Sequence, residues 1–387
     1  MAYYSIFPEK DTTLYSHPDR KNMNTGGDSI LELVEEKSNT GEIYYPSRIL
    51  IKFKNSEIKD VIENKIKKEI NTTNCKVDIQ LYSTENSTLS QDHIIESFPL
   101  SQSWNEGSEK YDTNPPYITN GSLQAANGST WVHRTDSTAS KWVTSSFNAG
   151  STGSNTTSEG GGVWHIGSDF RAEATFFSEN DFDLDLDVTT IISKFSASYY
   201  QDASHPIGIP NNGFIIKKPR ITEEDGFGFG GIKYFSSNTH TIYPPKLTFR
   251  WDDSVYNNGG GTVLNNGDIF LSLQNNKATF QRKSIQKFRI TSRKRYPNRT
   301  FVTDSNYLDT QYLPTTSYYS IRDAETDEVI IPFDTEYTKL SADSEGMYFN
   351  LWMEGFQPER YYKIMFRVDN NDGINVHDED YFFKIIR

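Results

Sequence analysis

The sequence predicts an all-β protein, a jelly-roll β-sandwich followed by a smaller Ig-like β-sandwich. Three observations support this prediction. Residues 182–188 alternate strictly between apolar and polar side chains, which is typical of a strand with one buried face. Turn-forming residues such as Asn211-Asn212-Gly213 recur between short apolar segments. The chain also holds 23 Tyr and 24 Phe, whose rings suit the half-buried surface of a sheet.

The N-terminal part of the chain carries short strand signals and one helical signal. Short apolar segments predict its opening strands: 11–15, 29–33, 47–53 and 77–82. Residues 56–70 carry apolar side chains at helical spacing, which predicts a helix, and a helical turn is predicted at 189–194. Residues 101–162 are rich in Ser, Thr, Gly and Asn. We expect loops and short strands there, because the Trp residues of this segment need a surface to pack against.

A break in composition at residues 257–261, Asn-Asn-Gly-Gly-Gly, predicts the domain boundary. The predicted domains are a jelly roll at 1–255 with one short helical insertion, a Gly/Asn linker at 256–267, and an Ig-like sandwich at 268–387. Strand signals resume at regular spacing in the last of these: 286–291, 318–322, 328–331, 347–351, 361–368 and 381–386.

Several motifs, taken in order, resemble those of one domain family. Asp11-Thr12-Thr13-Leu14-Tyr15 is similar to its opening strand, and Ser103-Trp104-Asn105-Glu106-Gly107 to its Trp-x-Glu-Gly turn. Asn211-Asn212-Gly213-Phe214 and Pro244-Pro245-Lys246-Leu247 resemble its ending. The family is the DNRLRE-type domain, a jelly-roll module of carbohydrate-binding type found on large surface-associated proteins. The resemblance covers roughly the first two thirds of the chain, and it implies a jelly-roll fold.

The two ends of the chain resemble structural proteins of tailed phages of marine bacteria, such as cyanophages. The resemblance lies in residues 1–20 and in two later segments, Tyr318–Asp323 and Gln357–Tyr362. It implies a virion component whose partners are other virion proteins in a symmetric, multi-copy assembly.

Composition excludes several classes of function. The net charge of −13 argues against a nucleic-acid partner, because phosphates require a basic face. The single cysteine, Cys75, excludes an internal disulfide, a cysteine-based zinc site and a redox pair. Neither a signal peptide nor an apolar run of membrane-spanning length is visible, so we expect no membrane partner and assembly of the virion in the host cytoplasm. No nucleophile elbow, phosphate-binding loop or metal-spaced histidines occur, and we therefore expect no enzyme and no cofactor.

Two motifs resemble ligand sites but fit structural roles better. The glycines at 226–231 have dinucleotide-binding spacing, yet a strand pattern follows where that motif requires a helix. Asp369–Gly373 resembles a calcium loop, but its glycine stands at the fifth position, and we predict a hairpin turn. Calcium remains an alternative at two acidic segments, 179–187 and 223–225.

Aromatic and basic side chains supply the candidate contact residues. Trp104, Trp131, Trp142 and Trp164 are candidates for stacking on sugar rings or contacting protein; the alternative for each is anchoring of core and loops. The basic stretch at 282–299 fits a solvated strand and hairpin surface better than a nucleic-acid patch, given the acidic whole, and a contact with an acidic partner protein is the other alternative. The residues predicted for docking lie in the C-terminal sandwich: Arg293, Arg295, Tyr318, Tyr319, Tyr361 and Tyr362.

We therefore expect a non-enzymatic virion structural protein of a tailed phage, in the neck, tail or baseplate. It would dock to other virion proteins and contact host-surface polysaccharide. The alternative is a carbohydrate-binding module of a cell-surface or secreted assembly. A third class, a glycan depolymerase, fits less well, because such enzymes usually show longer repetitive β-helical cores.

Overall fold

The structure is a computed structural model. It describes residues 2–37, 44–67, 70, 75–84, 92–111, 118–119, 122–123, 128–135, 140–142, 160–176, 183–200, 208–223, 230–297 and 309–387. The chain divides into two compact units: residues 6–248, the N-terminal unit, and residues 249–387 together with 1–5, the C-terminal unit. Both are built mainly from antiparallel strands, so the predicted all-β sandwich class is confirmed.

The described residues of the N-terminal part of the chain form thirteen strands. In chain order they are β1 (Ala2–Ile6), β2 (Pro8–Tyr15), β3 (Ile30–Lys37), β4 (Tyr44–Phe53), β5 (Cys75–Leu81), β6 (His93–Pro99), β7 (Ile118–Thr119), β8 (Ser122–Leu123), β9 (Ala172–Phe176), β10 (Leu184–Asp187), β11 (Phe214–Lys217), β12 (Gly231–Phe235) and β13 (Lys246–Trp251). One sheet has the order β12-β3-β4-β11-β6-β9, with β2 also paired to β4, while a second contains β13-β5-β10. From β4 to β6, and again from β9 to β11, the chain passes from the first sheet to the second and back, as in a jelly roll.

Local sequence explains the elements that the N-terminal unit places between its strands. The helix predicted at 56–70 is present but ends earlier: α1 (Asn55–Asp60) is continued by a π-helix (Val61–Ile66), and Ile58, Val61, Ile62 and Ile66 are buried. The predicted turn at 189–194 is the start of a longer helix, α2 (Thr189–Tyr200). The carboxylate of Asp187 accepts the first N–H of α2 at 3.0 Å, which caps the helix. A third helix, α3 (Arg220–Glu223), was not predicted.

The C-terminal unit is a sandwich of two sheets. Its strands are β14 (Ile269–Gln274), β15 (Thr279–Gln281), β16 (Ile285–Lys294), β17 (Ser317–Asp323), β18 (Val329–Ile331), β19 (Ser341–Asp343), β20 (Gly346–Trp352), β21 (Tyr361–Asn370) and β22 (Gly373–Ile386). The sheet orders are β14-β16-β20-β19 and β15-β22-β21-β17-β18. Aromatic rings fill the core, with Tyr319 stacked on Phe349 at 4.3 Å and Phe349 on Phe288 at 5.1 Å between ring centroids. All six strands predicted in this part of the chain are present, and the hairpin predicted at 369–373 joins β21 to β22.

The segment 256–267, predicted as a linker, lies inside the C-terminal unit. The hydroxyl of Tyr256 donates to the carbonyl oxygen of Leu313 at 2.6 Å. Leu264 is buried in the core of the unit, and its N–H bonds to the carbonyl oxygen of Tyr312 at 2.8 Å. Near the other end of the chain, Tyr3 belongs to the same core. The glycines between these contacts therefore form a turn on the surface of the second sandwich.

Candidate binding sites

The four tryptophans predicted to contact glycan or protein pack together in one buried cluster of the N-terminal unit. Trp104, Trp131 and Trp142 are 1% exposed, and Trp164 is 7% exposed. The indole N–H groups of Trp104 and Trp142 each donate to a backbone carbonyl oxygen at 2.9 Å. Because stacking on a sugar requires an exposed ring face, this arrangement corresponds to the alternative role, the anchoring of loops to the sheet.

Arg48 lies between two of these rings and is itself buried. Its guanidinium carbon is 4.7 Å from the ring centroid of Trp131 and 5.3 Å from that of Trp164, within cation–π range. Nε and Nη2 donate to the two carboxylate oxygens of Glu223 at 3.0 and 2.7 Å. Nη1 donates to the carbonyl oxygen of Gly161 at 2.8 Å. Arg48 therefore ties β4, α3 and the Trp loops together by charge-assisted hydrogen bonds.

Further charges extend this buried network. The ammonium of Lys217 is 3.6 Å from the carboxylate of Glu223 and 3.7 Å from that of Glu96. Arg171 also donates to Glu96, at 2.9 Å. Burial lowers the pKa of Lys217 below its usual range, with the nearby charge of Glu223 opposing the shift. Glu223, part of an acidic segment considered for calcium, is thus engaged by Arg48 and Lys217.

The Trp-x-Glu-Gly turn meets the opening strand β2. The ammonium of Lys10 lies 4.3 Å from the ring centroid of Trp104 and donates to its carbonyl oxygen. A carboxylate oxygen of Glu106 accepts the N–H of Asp11 at 2.9 Å. The carboxyl group of Asp11 accepts the N–H of Ser237 at 2.7 Å and its hydroxyl at 3.0 Å. Burial raises the pKa of Asp11 to about 7, against the opposing effect of these two bonds.

A pocket of about 550 Å³ opens beside β2 and β3 of the same unit. Its lining combines two tyrosine rings, three carboxylates and one lysine with smaller side chains: Tyr15, Asp28, Ser29, Ile30, Glu32, Val34, Glu36, Tyr111 and Lys233. The rings of Tyr15 and Tyr111 meet edge to face, with centroids 5.7 Å apart. Concave sites with aromatic walls and a few convergent polar groups are typical of ligand pockets.

Hydrogen bonds hold the carboxylates of this pocket in place. Glu32 accepts the hydroxyl of Tyr15 at 2.6 Å and pairs with the ammonium of Lys233 at 2.6 Å. Asp28 accepts the backbone N–H of Tyr111 at 3.0 Å. Burial, and next the charge of Glu32, raise the pKa of Tyr15 well above its usual value, so this hydroxyl stays protonated. Glu36 also pairs with the guanidinium of Arg20, which lies 4.9 Å from the ring centroid of Tyr111. Arg20 and Lys233 thus offset two of the three acids, and the lining favours ligands that donate hydrogen bonds.

Sequence reasoning missed both the Arg48 network and this pocket. An arginine within the apolar run 47–53 was the available signal for the network, because buried charges are almost always paired. For the pocket, β3 alternates buried Leu31 and Leu33 with Glu32 and Glu36, which predicts an acidic outer row. No sequence signal pairs that row with Tyr111.

The six residues predicted for docking do not form one surface. Tyr361 is 50% exposed, whereas Tyr319 and Tyr362 belong to the core of the sandwich and offer nothing to a partner. Tyr318 is 4% exposed and lies beneath the guanidinium of Arg367, at 4.9 Å.

The two arginines predicted for docking are exposed, on or next to β16 in the other sheet. The guanidinium of Arg293 lies 4.6 Å from the ring centroid of Phe270. The N–H of Arg295 bonds to the carbonyl oxygen of Asp268 at 2.9 Å.

One face of the C-terminal unit does concentrate exposed apolar side chains. In β21, Ile364, Phe366 and Val368 point into the core, so the alternate residues point outward. We call the outward side of β22, β21, β17 and β18 the outer face. Its exposed apolar side chains, with their exposed fractions, are Val329 (44%), Tyr361 (50%), Ile374 (66%), Val376 (53%) and Phe382 (40%). Lys363 and Arg367 stand opposite Phe382 and Val376 in the ladder.

No protein-family model matches the chain, and no curated protein matches it. Among solved structures, the chain is similar to a DUF4785 family protein from Legionella pneumophila, with 9% identity and a TM-score of 0.17. The match covers 98% of this chain and 66% of that chain. A score at this level carries no argument about fold or function.

Two further findings concern metals and membranes. Within the described ranges, no three His, Cys, Asp or Glu side chains come together to hold a metal ion. Residues 179–182 and 224–225 of the two acidic segments lie outside the described residues. None of the helices in the described part of the chain has the length and apolar character needed to span a bilayer.

Proposed function

We propose that this protein is a non-enzymatic structural component of a tailed-phage virion, in the neck, tail or baseplate. The second sandwich docks to neighbouring virion proteins through the outer face. The observation that carries the proposal is the set of five exposed apolar side chains on that face. The phage-like sequences at the two ends of the chain support the same role.

The composition of the outer face suits a protein contact. Patches of exposed apolar side chains rimmed by polar ones mark interaction surfaces, and aromatic residues and arginine are enriched there. Here Tyr361 and Phe382 supply rigid rings, while Lys363 and Arg367 stand between the apolar positions. Lys363 is held by Asp378 at 2.7 Å, and Arg367 by Asp369 at 2.6 Å, so both are already ordered before a partner arrives. Little side-chain entropy remains to be lost on docking.

We expect particles purified from a lysate of the phage that encodes this chain to contain it in stoichiometric copy number, measured by quantitative mass spectrometry. The physical reason is that a docked structural subunit remains bound through purification. The isolated protein should release no reducing sugar from bacterial polysaccharides. Complete absence from the particles, or turnover of a polysaccharide at catalytic rates, would contradict the proposal.

The pocket beside β2 and β3 favours a second candidate function, binding of carbohydrate. Tyr111 presents an aromatic wall, and the carboxylates of Asp28, Glu32 and Glu36 accept hydrogen bonds from hydroxyl or ammonium groups. Lys233 and Arg20 offset the charges of Glu32 and Glu36, and the remaining carboxylate, that of Asp28, favours neutral or amino sugars over sulfated or uronic ones. The DNRLRE-type resemblance of the first two thirds of the chain points to the same class of ligand.

Replacing Tyr111 with Ala should weaken binding of neutral or amino glycans at least tenfold, because the aromatic wall of the pocket is lost. A glycan array followed by calorimetry on the strongest ligand measures the effect. Tyr45→Ala is the matched control, because Tyr45 contacts His17 at 5.0 Å and does not line the pocket. Equal loss in both variants, or no glycan bound by the wild-type protein, would remove this second candidate.

A further inference from the structure

Strand β22 carries an open edge on the C-terminal unit. Strand β22 pairs with β21 in two stretches, from Asn370↔Gly373 to Phe366↔His377 and from Ile364↔Tyr381 to Tyr361↔Lys384, and residues 378–380 bulge out of the ladder between them. On its other side, β15 covers only residues 384–386. Beyond that short ladder, the side-chain amide of Asn276 bonds to the carbonyl oxygen of Phe382 at 2.9 Å. Within the part of the chain that the structure describes, residues 374–380 of β22 have no neighbouring strand on this side.

The register shows which backbone groups this edge presents. The N–H of Asp369 bonds to Thr316, on the side of β21 away from β22. The pair Asp369↔Ile374 is therefore a non-hydrogen-bonded pair, and Arg367↔Val376, two residues along, is another. The N–H and C=O groups of Ile374 and Val376 must then point to the open side of β22. Neither residue has a hydrogen-bond partner there among the described residues.

The same segment combines exposed apolar side chains on the outer face with a group of acidic side chains close by in sequence. Ile374 and Val376 are 66% and 53% exposed. Residues 372–380 contain four carboxylates and neither lysine nor arginine: Asp372, Asp378, Glu379 and Asp380. Burial lowers the pKa of His377, the one histidine of the segment, so it adds no positive charge at neutral pH. Lys363 reaches Asp378 and Asp380 from β21 at 2.7 and 3.3 Å and offsets part of this charge.

Charge decides which strand fits this edge. Natural sheets protect an exposed edge by charge or by covering, because unpaired backbone groups attract another strand. Pairing with a second copy of β22 would bring Asp378, Glu379 and Asp380 of both copies to one edge, and because Lys363 offsets only part of this charge, the two copies would repel. A basic segment meets opposite charge instead and gains the ladder of hydrogen bonds at Ile374 and Val376.

We propose that the open edge of β22 accepts an extended, basic segment of a partner protein as an added strand of the sheet. Apolar side chains of that segment pack against Ile374 and Val376, and its lysines or arginines face Asp378, Glu379 and Asp380. This inference rests on the proposed docking function and names the chemistry of the partner for it.

The probe for this edge is a fluorescein-labelled peptide of seven residues, alternating Lys and Val, titrated with the full-length protein at physiological salt. Fluorescence anisotropy should report saturable binding. N-methylation of the peptide's valines removes every second N–H while keeping its charge, and should abolish binding. Loss of binding on N-methylation separates strand addition from attraction by the net charge of −13.

Two variants of the protein test the edge itself. Val376→Pro removes an N–H that points away from β21, so the sheet should keep its melting temperature while the dissociation constant rises at least tenfold. Glu379→Lys should weaken binding by a similar factor, whereas Glu325→Lys, the same change at an exposed residue between β17 and β18, should not. Equal binding by the wild-type protein and Val376→Pro would overturn the inference. So would a dimer, detected by light scattering, that Val376→Pro converts to monomer, because the occupant would then be a second copy.

Incorporation into particles separates this inference from the proposed function. If Val376→Pro enters particles at the same copy number as the wild-type protein, the protein remains a virion component and the edge inference fails. If the wild-type protein is absent from particles but binds the peptide through β22, the inference about the edge holds and the proposed virion function fails.

Discussion

Replacing Arg48 with Met should lower the free energy of unfolding of the N-terminal unit by about 3–5 kcal/mol, measured by urea denaturation followed by Trp fluorescence. Both members of the pair Arg48–Glu223 have side chains that are 1% exposed, so removing the guanidinium leaves a buried carboxylate with a weaker partner. Lys217, 3.6 Å from that carboxylate, compensates for part of the loss. The rings of Trp131 and Trp164 also lose the cation that lies between them.

The control for this prediction lies on the same strand. Lys52→Met removes an ion pair with Glu9 that is 3.2 Å long and partly exposed, and should change stability by no more than about 1 kcal/mol. Adding Glu223→Leu to Arg48→Met should recover part of the loss, since no buried carboxylate is then left without Arg48, while Lys217 keeps Glu96 at 3.7 Å. If Arg48→Met costs no more than Lys52→Met, the buried network does not stabilise the unit.

The sequence predicted those elements whose signal is local. Alternation in 182–188 identified a strand because side chains of a strand change face at every residue, and helical spacing in 56–70 identified a helix. The predicted length of α2 was too short, because the helix continues beyond residue 194, past the apolar residues at its start. Glycines at 257–261 gave a break in composition but did not reveal that the flanking Tyr256 and Leu264 attach to the second sandwich.

The candidate sites could not be predicted because they depend on partners that are distant in sequence. Arg48 and Glu223 are 175 residues apart, and Asp28 and Tyr111 are 83 apart. Tryptophan in a polar, turn-rich segment fits both an exposed contact and a core anchor, and only the packing of Trp104 against its neighbours distinguishes these roles. Exposure of Tyr361 beside the buried Tyr362 follows from strand alternation, which the sequence already contained.

The buried charges also make a prediction about pH. Asp11 has a pKa raised to about 7 in the folded protein, because burial disfavours its charged form. An unfolded chain binds this proton only below its ordinary pKa, near 4. Between these values the folded state holds more protons, so the contribution of Asp11 to stability is fully present below about pH 4 and is lost as pH rises to about 7. Carboxyls with lowered pKa values, such as Asp323, which Arg360 contacts at 2.7 Å, act in the opposite direction at lower pH.

Asp11→Asn isolates this effect, because the amide is neutral at every pH while its oxygen still accepts from Ser237. Relative to this variant, the wild-type protein should lose up to about 4 kcal/mol of unfolding free energy between pH 4 and pH 8, measured by urea denaturation at matched salt. Ser237→Ala is the companion variant: it removes the hydroxyl that favours the charged carboxylate at 3.0 Å, and should extend the loss to higher pH. A constant difference between wild type and Asp11→Asn would mean that the bonds from Ser237 outweigh burial and keep Asp11 ionised. Asp11, which lies where β2 meets the Trp104 turn, would then be a buried charged carboxylate and not a neutral carboxyl group.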